Sequence, residues 1–124
     1  MFDDFDLIHK YTRAEALADG TLVDVTPLAR EAGLKWPVAV TRQVFERYVR
    51  VPEGVVGQDV AGRTWDIVFM LRWAISRSLG GDTLLYEVYV RNDEEEPQSV
   101  QLKAVAGPDD DGSPCITVML PLED

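Results

Sequence analysis

At 124 residues, 46% of them hydrophobic and 27% charged, the chain has the size and composition of a single folded domain, 1–124, and is too rich in apolar side chains for a disordered class. Its formal net charge of -10 disfavours direct binding of DNA or RNA, whose phosphates call for Lys and Arg, and favours a protein partner with a basic surface. The one cysteine, Cys115, excludes an internal disulfide, and the acidic opening MFDDFDLIHK lacks the basic start and apolar run of a signal peptide, so a cytoplasmic location is expected, with no membrane span.

The elements follow in chain order. Thr12 and Glu15 have the spacing of a capping box and predict a short helix over residues 13–18, stopping near Gly20. Leu22, Val23 and Val25 suggest a short strand. Thr26-Pro27 is a helix start, with proline placed where its missing N–H costs nothing, and Gly33 is the matching stop. Another helix is expected over residues 41–49, with Val44, Phe45 and Tyr48 on one side. Residues 51–63 hold three glycines and a proline and read as a loop or hairpin.

Thr64 is then expected to cap the longest helix, residues 65–79, closed by Gly80-Gly81. Ile67, Val68, Leu71, Ile75 and Leu79 form one apolar stripe, and Trp65, Phe69 and Trp73 form a second at i, i+4, i+8. Apolar on two sides, this reads as the central core helix. The last third alternates with period two: Leu84, Tyr86, Val88 and Val90, then Val100, Leu102 and Ala104, then Ile116, Val118 and Leu120, each set interleaved with more polar positions. The expected class is α+β, an antiparallel sheet of three or four strands with helices packed on one face.

Charge is unevenly spread. Residues 35–80 carry seven basic and four acidic side chains, whereas residues 81–124 carry two and eleven. Two acidic runs, Asp93-Glu94-Glu95-Glu96 and Asp109-Asp110-Asp111, fall in the two connections of the strand-rich third, at opposite ends of the sheet if the strands form a meander. Each is either a solvated turn or a surface for a basic partner. Tyr89 and Met119, with Glu87, Arg91, Gln101, Lys103 and Thr117, belong to the polar-patterned face of the sheet, and Tyr89 with Met119 supplies the apolar anchor that a binding surface needs.

Other chemistry finds little support. A calcium loop with its invariant glycine at Gly112 would begin at Gly107 and end at Val118, neither an oxygen ligand. One histidine, His9, and one cysteine do not make a zinc site or predict a nucleophile–base pair. No phosphate-loop or dinucleotide fingerprint occurs. The sequence therefore names no catalytic residue, no metal ligand and no cofactor. Asp66, on the apolar central helix, is the one acid with many apolar neighbours, and it reads first as a structural ion pair or an exposed site and second as a carboxyl acting in an enzyme pocket.

The segments YTRAEALADGTLVDV, EAGLKWPVAVT, GRTWDIVFMLRWAI, YEVYVRN and VQLKAVAGPDDDGSPCITVMLP together resemble a family of small acidic proteins, uncharacterised as to activity, found in bacteria, plasmids and phages. The resemblance spans residues 11–121 and carries no catalytic motif. It implies a mobile-element setting, in which small acidic proteins resemble anti-defence inhibitors of the anti-CRISPR or anti-restriction kind.

The leading expectation is a non-catalytic acidic module that occupies the basic, nucleic-acid-binding site of a partner protein through Asp93, Glu94, Glu95, Glu96, Asp109, Asp110, Asp111, Tyr89 and Met119. The alternatives are a small enzyme using a pocket carboxylate such as Asp66, and an antitoxin-like or immunity-like partner of a basic toxin. The residues do not set the oligomeric state.

Overall fold

The computed structural model describes residues 11–93 and 96–124. The first helix, α1 (Arg13–Asp19), begins as its sequence dictates. Thr12 accepts from the Glu15 backbone N–H while the Glu15 carboxylate accepts from that of Thr12, and Gly20 ends the helix in the left-handed conformation at φ 85°. Strand β1 (Leu22–Asp24) leads into α2 (Thr26–Glu31), which has proline in its first turn, and Gly33 at φ 102° turns the chain away.

Strand β2 (Val38–Thr41) comes next, where no strand was expected. Its residues Val38, Ala39 and Val40 are all buried, so the segment has no polar alternation to reveal it. Thr41 both ends β2 and caps the following helix, accepting from the Val44 N–H at 3.2 Å. That helix, α3 (Arg42–Val44), widens into a π-helical turn over Phe45–Val49, closed by the Arg50 N–H bonding the Phe45 carbonyl.

The long helix, α4 (Val60–Ser76), starts one turn earlier than expected. Asp59 is its N-cap, accepting from the Gly62 N–H, and Thr64 lies inside the helix with its hydroxyl bonded back to the Val60 carbonyl. It also ends before the expected Leu79, which is fully exposed.

Strands β3 (Thr83–Val90), β4 (Gln98–Pro108) and β5 (Pro114–Met119) form the expected antiparallel meander, but they belong to a larger sheet. Five strands run in the order β1-β2-β5-β4-β3, and β2 pairs with β5 in parallel, Val40 beside Val118. The expectation of three or four purely antiparallel strands is thereby corrected to a mixed five-stranded α+β sheet. The N-terminal pair β1-β2 adds to the meander through β2, which makes β5 a central strand.

The meander register is as the period-two pattern requires. Val88, Leu102 and Val118 are buried, with Ala29, Ile67, Val68 and Leu71 in the same core, while Glu87 and Gln101 face outward. The one-sided arrangement holds only for β3 and β4. Toward β2 and β5 the other face is covered too, because α1 lies across it. The Arg13 guanidinium donates to Thr117 Oγ1 at 2.6 Å and to the Ile116 carbonyl at 2.9 Å, and Ala16, Ala39 and Met119 are buried. Helices therefore sit on both faces, which corrects the expectation of one. No helix among the described residues is long and apolar enough to cross a membrane.

Candidate functional site: an acidic groove beside helix α1

The connection between β4 and β5 positions this site. Gly112, at φ 87°, lets the chain reverse, and the turn is pinned by the Asp109 N–H on the Ser113 carbonyl at 2.6 Å and the Gly112 N–H on the Asp109 carbonyl at 2.9 Å. Asp111 accepts from both the N–H and the hydroxyl of Ser113, and these bonds hold its carboxyl below the usual range. Asp110 reaches outward from the turn. Its two carboxylate oxygens accept from the Arg13 and Ala14 backbone N–H groups at 2.8 and 2.9 Å, so a residue about a hundred positions away satisfies two free donors at the start of α1.

Between α1 and the sheet runs an open groove of about 970 Å3. Thr117 and Met119 of β5 lie in its lining with Ala16 of α1, and the acids Asp109, Asp110, Glu123 and Asp124 are among the residues around it. Two arginines also line it, and both guanidinium groups are bonded to neutral oxygens of the fold. Arg13 is tied to Thr117 and Ile116, and Arg42 donates to the Gly20 and Asp19 carbonyls at 3.0 and 3.1 Å. Glu123 closes the far side, accepting from the Thr41 hydroxyl and the Leu120 N–H, each at 2.7 Å. At the end of α1 the Tyr11 hydroxyl donates to Asp19 at 2.5 Å, which lowers that carboxyl and raises the phenol.

The residues expected to form one binding surface are spread apart. Asp93 and Glu96 are exposed at one end of β4 and Asp109 to Asp111 lie at the other; Glu94 and Glu95, like His9, fall outside the described residues. Tyr89 is 68% exposed, opposite Ser99, whereas Met119 is only 6% exposed, opposite Lys103 four residues further along β4. The anticipated exposed Tyr89–Met119 pair does not exist, because β5 is central and α1 roofs its outer face.

Asp66 is exposed on α4, at the junction of two clefts of about 260 and 470 Å3, and desolvation raises its carboxyl. Its neighbour Arg63 is the main feature that sequence reasoning missed. This arginine is buried, and its guanidinium donates to the Gln58 and Asn92 carboxamide oxygens and to the Arg50, Tyr48 and Arg91 carbonyls. These acceptors are all neutral, so Arg63 ties the end of the π-helical turn, the 50–58 loop and the end of β3 to α4 without a salt bridge through them. The available signal was its place at i-4 and i-8 to Ile67 and Leu71, on the buried stripe.

Cys115 is buried, and burial pushes its thiol up, away from nucleophilic character. Among the described residues no group of three or more His, Cys, Asp or Glu side chains could hold a metal ion.

A model for DUF6573, a family of unknown function, matches residues 1–124. The chain belongs to this family. No curated protein and no solved structure matches it.

Proposed function

We propose that the chain is a non-catalytic, acidic protein-binding module whose groove beside α1 receives a basic segment of a partner protein. The observation that carries this reading is the excess of acidic over basic side chains around this groove. Four acids, Asp109, Asp110, Glu123 and Asp124, line it against two arginines, Arg13 and Arg42, and the hydrogen bonds that Asp110, Glu123, Arg13 and Arg42 make within the fold go to neutral groups that cancel none of the charge. The net charge of -10 adds a long-range field that steers a basic partner toward the molecule. The resemblance to small acidic proteins of mobile elements supports a finer version, in which the partner is a host defence protein and the segment belongs to its nucleic-acid-binding site.

The test starts from partners recovered from a host lysate, whose association is then measured against salt. Replacing the groove acids Asp109 and Asp124 by Asn, with the helix-capping Asp110 and the Thr41-bound Glu123 retained, should leave the fold intact, slow association and flatten the salt dependence, and replacing Asp93, Glu94, Glu95 and Glu96 at the other end of the sheet should have the smaller effect. Unchanged association and an unchanged salt response would remove the reading.

One observation favours a second reading, a small enzyme: the raised Asp66 carboxyl beside two clefts. Turnover of a small molecule by the purified chain, abolished in Asp66→Asn with the fold unchanged, would replace the binding module with this reading.

A further inference from the structure

Strand β3 is the edge of the sheet, with no neighbour beyond it among the described residues. Its free side can be assigned residue by residue. The Ala106 N–H bonds the Asp82 carbonyl at 2.7 Å, which makes Asp82 and Ala106 a hydrogen-bonded pair, and the register continues unbroken through Val90 and Gln98. Antiparallel pairs alternate, so the even-numbered residues of β3 bond to β4, and Thr83, Leu85, Glu87 and Tyr89 direct their N–H and C=O groups at the open edge.

Natural edges are usually short, bulged, or guarded by lysine or proline. This one is eight residues long, has an unbroken register, contains neither lysine nor proline, and carries a single charge, Glu87. The surface around it is apolar. Leu85 and Tyr89 are 54% and 68% exposed on one side of the strand. On the other side α4 overhangs the edge, leaving a cleft of about 400 Å3 between Met70, Trp73 and Ala74 and the strand. Phe69 stacks on Trp65 at 5.7 Å, and Arg77 lies 4.7 Å over Trp73, so the helix presents an ordered aromatic row with about half of Phe69 and Trp73 exposed.

We infer that this edge is a homodimer interface, in which β3 of a second copy pairs antiparallel across a two-fold axis beside Tyr86 and extends the sheet through both protomers. The strand's own pattern selects that register. Centred on Tyr86, Thr83 faces Tyr89 of the other copy and Leu85 faces its Glu87, so all four outward-facing residues are hydrogen-bonded. Shifting the axis to Leu85 or to Glu87 leaves one of the four unpaired on each copy, and the shift to Glu87 also sets the two Glu87 carboxylates directly opposite one another, which is unfavourable. A strand edge alone is too small for a stable interface, which takes roughly 1,200 Å2 or more in total. The two-fold axis brings both α4 helices to the same side of the joined sheet, where Met70, Trp73 and Ala74, which line the cleft against the strand, supply the remaining apolar area.

The second copy is favoured over a strand from another protein because one two-fold register pairs all four outward-facing residues of β3 with those of the same strand in the other copy and sets Leu85, not a second acid, opposite Glu87. Its response to salt separates it from the acidic-groove reading. Two chains of charge -10 repel, so salt should tighten the dimer, whereas it should weaken binding of a basic partner.

The test is sedimentation velocity of the full chain over a concentration series, with two variants at the half-exposed Leu85. The wild type should reach twice the chain mass. Leu85→Glu, which sets an acid against Glu87 of the other copy twice per dimer, should raise the dissociation constant about tenfold. Leu85→Lys, which sets a base there, should keep the dimer or tighten it. Amide exchange at Thr83, Leu85, Glu87 and Tyr89 should be slow in the dimer and fast in Leu85→Glu. A chain that stays monomeric at every concentration overturns the inference, as does equal weakening by the two Leu85 variants. Edge amides protected only when a different protein is added would also overturn it.

Discussion

Tyr86 shows how this fold handles a polar group at the single-residue level. Its ring is in the core, its hydroxyl donates to the Ile67 carbonyl at 3.1 Å, and burial pushes the phenol far above its ordinary value of 10.0. The consequence for stability has a definite sign. Above pH 10.0 the unfolded chain releases the Tyr86 proton while the folded chain keeps it, so the unfolded state binds fewer protons and stability falls as pH rises. Tyr86→Phe should lose about 1 kcal/mol at neutral pH with the missing hydrogen bond, and its stability should decline less steeply above pH 10.0. Urea melts of both proteins from neutral to alkaline pH measure the two effects. Arg63 makes a similar point with a charge. Its place at i-4 and i-8 to Ile67 and Leu71 was hidden because residues 51–63 read as a loop, and its carbonyl acceptors come from segments that only the fold brings together.

At the scale of elements, α1 is the one most dependent on a distant partner. It is seven residues long, too short to persist alone, and two of its first N–H groups are satisfied by Asp110 from the β4–β5 turn. Asp110→Ala should therefore cost about 1 kcal/mol, as loss of a helix cap does. It should also speed amide exchange across Arg13–Asp19, while Asp111→Asn, which retains an oxygen for Ser113, should leave α1 protected. Denaturant melts with residue-resolved exchange separate the two variants. The capping box at Thr12 and the stop at Gly20 were legible because those signals are local. The start of α4 was misread because two residues, Asp59 and Thr64, both resemble caps, and the glycines before Thr64 suggested a loop. Gly62 instead lies in the first turn, where its N–H meets the Asp59 carboxylate at 2.6 Å.

Across the whole molecule, the excess of acid opposes compaction, since like charges repel more strongly when the chain is folded. The melting temperature should accordingly rise as sodium chloride is added from low ionic strength, and a thermal-denaturation series in salt would show it; a flat or falling series would mean that local ion pairs outweigh the net charge. The acids are not equivalent in this respect. Asp110 and Asp111 are held by backbone and hydroxyl donors of the turn and of α1, so their replacement also removes bonds of the fold, and Asp93 and Glu96 lie at the opposite end of β4.

The sequence by itself determined the acidic character, the single-cysteine chemistry, the local helix starts and stops at Thr12, Gly20 and Pro27, and the register of the meander. Each of these depends on composition or on residues within a turn or two of one another. Tertiary structure decided the parallel pairing of β2 with β5, the burial of Met119 under α1, the use of Asp110 as a helix cap and the exposure of the Phe69 and Trp73 row. Period-two and period-3.6 patterns tell which residues share a face, but not whether a second layer covers that face. Val38 to Val40 could not announce a strand because both of their faces are buried, and the aromatic row of α4 could not announce its exposure because an apolar stripe reads the same whether it meets the core or another surface.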